Sequence, residues 1–196
     1  SWAKRSENPL ELRLPELVEG EGVALQLEAV EAARVDADVA YLDPPYNQHS
    51  YLGNYHVWET LVRWDAPESY GIANKRVDCK VYKNAFNSKV RMAEAFAAVI
   101  REVRAKELVV SFSDEGFLAR AELEAMLSER GHVRVVSVDF KRYVGAQIGI
   151  YNPAGEKVGK VSHLRNREML FIVSPDEARA DRAVDRARMS LEKKSA

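Results

Sequence analysis

An apolar run that stops abruptly at an acid and two prolines constrains this chain more than any other feature. Residues 39–42, Val-Ala-Tyr-Leu, have the composition of a short buried strand, and Asp43-Pro44-Pro45-Tyr46 follows them directly. Each proline fixes its own φ angle, removes a backbone donor and favours an extended conformation in the residue before it. The strand therefore ends there, and the chain leaves it as a stiff extended segment.

The order of the other patterns predicts an α/β sheet with helices on both faces, because strands and helices alternate along the chain. The last two strands, which a long glycine-rich link joins, are expected to be an antiparallel pair. Such sheets bind ligands at the carboxyl ends of their strands, where Asp43 lies. Strands are predicted around Leu25 and at 39–42, 108–112, 133–143 and 168–173, and helices at 29–34, 55–64, 88–105 (N-cap Asn87 or Ser88) and 117–130 (ending at Gly131).

Composition favours one soluble intracellular domain of 196 residues. No apolar stretch approaches the ~20 residues that cross a bilayer, and no signal peptide opens the chain, so we expect a cytoplasmic protein with no membrane partner. The single cysteine, Cys79, excludes an internal disulfide and a multi-cysteine zinc site, and no metal site is predicted. The charged residues from Asp176 onward indicate a solvated helix or a frayed end.

Charge is distributed unevenly along the chain. The net charge is −1, yet residues 74–91 and 141–167 each sum to +5, which leaves −11 for the remainder. Basic residues confined to two stretches, predicted to be largely loops, suit a polyanion such as a nucleic acid. Ordinary solvated loops would show the same pattern, and this alternative stays open.

The Asp43-Pro44-Pro45-Tyr46 segment has groups that could bind a planar amine. The Asp43 carboxylate and the Pro44 carbonyl are two acceptors without local helix partners, and the Tyr46 ring is a stacking surface held close to them. The alternative is that Asp-Pro only ends a strand and begins a turn. The polar and aromatic residues that follow, 47–51, favour contact with a ligand.

These residues resemble the Dam-like class of S-adenosylmethionine-dependent DNA adenine methyltransferases. The stretch YLDPPYNQHSYLGNYHVWET is similar to the catalytic motif of that class and its downstream context, and VSHLRNREMLFIV is similar to its final motif and strand. The resemblance covers residues 8–174. It implies a Rossmann-like methyltransferase sheet, mostly parallel with a C-terminal antiparallel pair, in which residues 1–174 are the C-terminal portion of the catalytic domain and 175–196 are a charged tail.

The resemblance implies methyl transfer from S-adenosylmethionine to the exocyclic amino group of adenine in double-stranded DNA, as in the modification methylase of a restriction-modification system. Asp43, Pro44, Pro45 and Tyr46 would form the catalytic motif. Glu28 would contact the cofactor together with Asp43 and Pro44. A solvated glutamate at the start of a helix would look the same as Glu28, so this alternative is kept.

The same resemblance, together with the clustering of basic residues, implies a set of DNA-binding residues. They lie directly after the catalytic motif and in the second basic segment: Asn47, Gln48, His49, Tyr51, Lys141, Arg142, Lys157, Lys160, His163, Arg165 and Arg167.

One expected feature of the class is missing. Only 42 residues precede Asp43, and they contain no Phe-x-Gly-x-Gly loop of the kind that cradles the methionine part of the cofactor. We therefore expect a C-terminal portion that lacks its first strands and that an N-terminal segment or a second chain completes. Alone, it is expected to bind the cofactor weakly and not to turn over. The alternative function is a non-catalytic DNA-binding remnant or subunit.

Overall fold

A computed structural model describes the backbone of residues 9, 13–141, 150–151, 157–159 and 165–195, and the side chains of residues 9, 13–139 and 166–191. A short 3-10 turn at Ala85–Asn87 precedes the fourth helix. The helices and strands in chain order are α1 Ala29–Ala33, β1 Ala37–Leu42, α2 Tyr51–Arg63, β2 Ser69–Tyr70, β3 Lys75–Arg76, α3 Asp78–Val81, α4 Met92–Glu102, β4 Ala105–Ser113, α5 Arg120–Ser128, β5 His132–Lys141, β6 Ile150–Tyr151, β7 Lys157–Gly159, β8 Arg165–Ser174 and α6 Glu177–Ser195.

The main sheet has four strands in the order β1-β4-β8-β5. β1 and β4 are parallel, and β8 runs antiparallel to both β4 and β5. The predicted α/β class and the antiparallel final pair are therefore confirmed, whereas only one of the three strand pairs described in this sheet is parallel, although a mostly parallel sheet was expected. Because β1, β4 and β5 run in the same direction, their carboxyl ends meet at one edge of the sheet. Within the described residues, β1 has a neighbouring strand on one side only.

Apolar side chains alternate between the two faces of the sheet and are buried by different helices. On the first face, Phe112 and Phe171 are fully buried beneath α4 and α5, which contribute Phe96 and Leu127 to the same cluster. Burial of side chains this size contributes roughly 1.5–3 kcal/mol each, so this cluster is the main core. On the second face, α6 covers the β5 and β8 side of the sheet through a smaller cluster: Val136, Ile172 and Val184.

The predicted charged tail is an ordered helix with one packed face. Val184 lies against the sheet, and Arg134 of β5 donates to Glu177 at 2.9 Å and to Asp181 at 2.6 Å. This segment is a helix rather than a frayed end, but it is packed on one face and not fully solvated as expected, because small apolar residues recur at helical spacing among the charges. No helix in the described part of the chain is long and apolar enough to cross a membrane.

Three local predictions are corrected by the structure. Residues 21–28 form no strand, and Leu25 is 62% exposed, because among the described residues no strand lies beside them to pair with. α2 begins four residues before the predicted start, where Ser50 caps it by accepting from the Gly53 N–H. The N-cap of α4 is Arg91 rather than Asn87 or Ser88. α5 ends at Ser128, with Glu129 as its C-cap, so Gly131 lies beyond the cap; its φ of +146° is a backbone conformation that favours glycine.

Candidate active site

Asp43 lies immediately after β1, at the edge where the carboxyl ends of three strands meet. Its side chain is exposed, and the Ser111 hydroxyl of β4 donates to Oδ1 across 2.7 Å. The Tyr41 hydroxyl in turn donates to Ser111 Oγ across 3.1 Å. Asp43 makes no salt bridge with any described side chain, and Pro44 beside it is buried. The carboxylate is thus anchored at one oxygen and open to solvent.

Tyr46 is half-buried rather than fully presented to a ligand. Its ring packs on Phe112 at 5.6 Å between centroids and 51° between planes, and its carbonyl accepts from the Phe117 N–H at 2.8 Å. Burial raises the pKa of its hydroxyl, nearby Glu168 raises it further, and a hydrogen bond with Ser113 opposes both effects. One side of the ring is therefore part of the core boundary.

Glu168 of β8 is a carboxyl that sequence reasoning did not select. It pairs directly with Ser113 in the β4–β8 register. Burial is the main cause that raises the pKa of Glu168, Asp114 and Asp43 add to it, and a hydrogen bond with Ser113 lowers it. Ser113, which is fully buried, thus connects this carboxyl with the Tyr46 hydroxyl.

A cavity of about 500 Å³ opens beside Asp43. Glu28, Asp43 and Pro44, the three predicted cofactor contacts, all line it, and so does Pro45, whereas Tyr46 does not. The rest of its wall is mostly apolar and aromatic, with Leu27, Leu42, Tyr41, Tyr82 and Phe86 among its residues, and Asn84 adds a polar group. Glu28 is also the N-cap residue of α1 and is exposed, as a solvated glutamate at the start of a helix would be.

The loop after the Asp-Pro-Pro-Tyr motif is fixed by one amide. Asn87 Nδ2 donates to the carbonyls of Asn47 at 2.7 Å and His49 at 3.1 Å, and Asn47 Oδ1 accepts from the His49 N–H at 2.9 Å. The Asn47 side chain therefore serves the turn, whereas Gln48 and His49 project from it, exposed. Tyr51 is also exposed and stacks on Tyr55 at 5.9 Å.

The second group of predicted DNA contacts is described only in part. Arg167 is 60% exposed at the start of β8, with its guanidinium 3.5 Å from Asp139 and its backbone N–H donating to Asp114. Lys141 and Arg165 pair in the β5–β8 register at the same sheet edge as Asp43, and their side chains lie outside the described set, as does that of Lys157. Arg142, Lys160 and His163 lie outside the described residues.

The first basic segment contains one residue that is not available to a polyanion. Arg76 is 3% exposed, and its guanidinium binds Asp65 at 2.6 Å and 2.9 Å, Asp78, and the Thr60 hydroxyl. The hydrogen bonds to Asp65 and then Asp78 raise the pKa of Arg76. Counting Arg76 toward a DNA-binding charge was therefore wrong, because its donors are already used inside the protein. Lys83, Lys89 and Arg91 remain exposed.

Ser111 and Ser113 were missed, although the sequence carries a signal for them. They are the two hydroxyl residues at alternate positions near the carboxyl end of an apolar strand, LVVSFS, and alternation places both on one face. A polar pair at the ligand-binding edge of a sheet indicates a site rather than packing. Asn87 and Glu168 gave no comparable signal, since their importance depends on contacts across the fold.

A family model, described as D12 class N6 adenine-specific DNA methyltransferase, matches residues 1–126, which include Asp43 to Tyr46 but not the final strand. The chain is 33% identical over 113 residues to Type II methyltransferase M.FokI of Planomicrobium okeanokoites, covering 56% of this chain and 17% of that protein. It is 29% identical over 148 residues to Modification methylase StsI of Streptococcus sanguinis, covering 72% and 22%.

A shorter relative, Type II methyltransferase M.CviAII of Paramecium bursaria Chlorella virus 1, is 33% identical over 110 residues, which are 56% of this chain and 32% of that protein. The chain thus spans only 17% to 32% of the length of these three relatives. No solved structure was found to match it. The resemblance inferred from Asp-Pro-Pro-Tyr is confirmed by the family match, and this chain belongs to the D12 class of N6 adenine-specific DNA methyltransferases.

Proposed function

We propose that this chain carries the amine-binding part of an enzyme that transfers a methyl group from S-adenosylmethionine to the exocyclic amino group of adenine in DNA. The observation that carries the proposal is the position of Asp43. Its carboxylate is exposed at the carboxyl end of β1, anchored through Oδ1 to Ser111 and bordered by a cavity of about 500 Å³. A free carboxylate oxygen beside a cavity is what recognition of an amino group requires.

The target nitrogen needs acceptors and orientation rather than a nucleophilic side chain. The second oxygen of Asp43 and the Pro44 carbonyl accept the two amino hydrogens, which turns the nitrogen lone pair toward the methyl donor. An adenine inside a duplex cannot reach this position, so the base leaves the helix and stacks on the outer side of Tyr46. Pro45 keeps the spacing between these groups fixed.

The cavity fits the cofactor in size and chemistry. Ligand pockets are typically about 300–1,000 Å³, largely apolar, with a few polar groups that set orientation. S-adenosylmethionine supplies the methyl group when bound. We propose that Glu28 accepts a hydrogen bond from its nucleoside, that Asp43 and Pro44 border its reactive end, and that Tyr82 and Phe86 line the apolar wall.

DNA is proposed to lie across the sheet edge that carries Asp43. Gln48, His49 and Tyr51 project from the loop after the motif, Arg167 is exposed at the same edge, and Lys141 and Arg165 pair there. Lys83, Lys89 and Arg91 are exposed in the first basic segment. These positions suit phosphate contacts, which bind DNA without reading its sequence.

We propose that a preceding segment or a second chain completes a Rossmann-like sheet and the cofactor site. The outer edge of β1 has no strand beside it in the described part of the chain, and Val39 and Tyr41 on this strand are exposed. α2 also presents apolar side chains to solvent, among them Trp58 and Val62. Apolar surface of this extent is typical of an interface.

The test is methyl transfer to duplex DNA from labelled S-adenosylmethionine, with N6-methyladenine identified by mass spectrometry of the digested nucleosides. It is carried out with this chain and with the longest natural protein that contains it. Asp43→Ala is expected to lower the rate by about 10²-fold or more, because an acceptor aimed at the reacting amine is lost. Asp36→Ala, which removes an exposed acid just before β1, is the matched control and keeps the rate.

An alternative function is a non-catalytic DNA-binding remnant or subunit, which the exposed basic residues favour. It predicts salt-dependent binding to DNA with no N6-methyladenine in any of these mixtures. Full activity of the Asp43→Ala variant would contradict the proposed mechanism. N6-methyladenine formed only by the proteins that retain Asp43 would contradict the alternative.

A further inference from the structure

The strand beside β1 holds the proposed catalytic carboxylate through a short chain of hydroxyl groups. Tyr41 of β1 and Asp43, which follows the strand two residues later, both reach the side chain of Ser111 on β4. The Tyr41 hydroxyl donates to Ser111 Oγ at 3.1 Å, and Ser111 donates to Asp43 Oδ1 at 2.7 Å. The direction of donation is therefore the same in both bonds, and each polarises the next.

The hydrogen-bonding capacity of Ser111 fixes the direction of this chain. A serine hydroxyl has one hydrogen to donate, and Ser111 gives it to Asp43 while accepting from Tyr41. Among the described residues, no other side chain donates to Asp43. The orientation of this exposed carboxylate therefore depends on one serine.

We propose that Ser111, held by Tyr41, is the positioning residue of Asp43. It occupies Oδ1 and so presents Oδ2 to the amino group of the target base. This inference rests on the proposed function, because the geometry matters only if Asp43 binds an amine. Ser111 itself touches no substrate atom; its effect passes entirely through the carboxylate.

A positioning role makes a specific kinetic prediction. Ser111→Ala should lower kcat by about tenfold to 10²-fold, since misplacement of a reacting group has effects of that size, while KM for DNA changes less than about twofold. Ser111→Thr keeps the hydroxyl and should restore most of kcat. Tyr41→Phe should show the same pattern with a smaller loss. Ser137→Ala, at an exposed position of β5, is the matched control for Ser111→Ala, and Tyr70→Phe is the matched control for Tyr41→Phe.

A double-mutant cycle separates positioning from a general structural effect. In an Asp43→Ala background, Ser111→Ala should cause no further loss, because the group it orients is gone. The proposal is overturned if Ser111→Ala keeps the wild-type kcat or changes KM as much as kcat. It is also overturned if Ser111→Ala lowers kcat by the same factor in the Asp43→Ala background as in the wild type.

A second readout needs no turnover, so it remains decisive if methyl transfer itself is never observed. The order parameter and χ1 couplings of the Asp43 side chain, measured by NMR on this chain, should show loss of a single orientation in Ser111→Ala and not in Ser137→Ala. An equally ordered Asp43 in both variants would overturn the positioning role. If Asp43 becomes disordered in Ser111→Ala but no N6-methyladenine is formed in the methyl-transfer assay, the proposed function alone is rejected and the positioning role stands.

Discussion

At the scale of single residues, Glu168 gives the site a pH dependence of its own. Burial raises its pKa above the ordinary 4.5, so the folded chain holds this proton more tightly than the unfolded chain. The stability that Glu168 contributes is therefore complete below that ordinary value of 4.5 and is lost as pH rises through the raised pKa.

The Glu168→Gln variant tests whether the stability contributed by Glu168 is lost, rather than gained, as pH rises. Glutamine keeps the shape and cannot ionise, so the free energy of unfolding of the variant minus that of the wild type should grow as pH rises through this window. Urea unfolding of both proteins at a series of pH values gives the difference directly. A difference that stays constant, or that shrinks with rising pH, would contradict a raised pKa. Glu129→Gln, an exposed acid after α5, is the control.

Candidate site residues that belong to a local motif are easier to predict from the sequence than residues whose contacts cross the sheet. Asp43 and Pro44 were predicted as site residues because a strand, an acid and two prolines are neighbours in the chain. Glu168 was passed over because it reaches Ser113 only through the register of β4 with β8. Charge counting failed at Arg76 because a sum over the sequence does not show that its guanidinium is buried between Asp78, two residues away, and Asp65, which lies outside the basic segment.

At the scale of elements, Arg76 connects the end of α2, the start of α3 and the short strand β3. Its guanidinium holds Asp65 and Asp78 and is nearly inaccessible to solvent. Removing it leaves two acids facing each other without their shared cation, and such loss is more destabilising than loss of a surface pair.

Arg76→Met is therefore expected to lower Tm by several degrees while leaving the salt dependence of DNA binding unchanged. Arg91→Met, which removes an exposed charge of the same segment, should leave Tm nearly unaffected. Thermal unfolding followed by circular dichroism measures the first effect, and DNA titrations at several salt concentrations measure the second. A fall in the salt slope for Arg76→Met would indicate that this arginine contacts phosphate after all.

Elements with strong internal patterns were predicted well. The central strands and the helices α4 and α5 follow apolar periodicities that also determine what they bury, as Phe96, Phe112 and Leu127 show. The strand expected near Leu25 did not form, because a strand needs a neighbour as well as a suitable composition. The local sequence pattern predicts the secondary structure that a segment favours, whereas pairing with a neighbouring strand decides whether a strand forms.

At the scale of the whole molecule, the distribution of exposed charge predicts how DNA binding responds to salt. Each phosphate contact that is lost should reduce the slope of log K against log salt by about 1. Arg167→Ala should show that change, because Arg167 is exposed at the sheet edge of Asp43. Arg104→Ala, at the opposite end of β4, should not change it. Equal slopes for the wild type and both variants would place the DNA elsewhere.

The open flank of β1 has a practical consequence for handling the isolated chain. Within the described residues no strand pairs with the outer side of β1, and such a strand edge is a template on which another copy can add. No charge or proline within β1 after Asp38 discourages such addition. Precipitation of a concentrated sample would then begin from correctly folded molecules, through edge-to-edge growth, and would respond to dilution rather than to refolding.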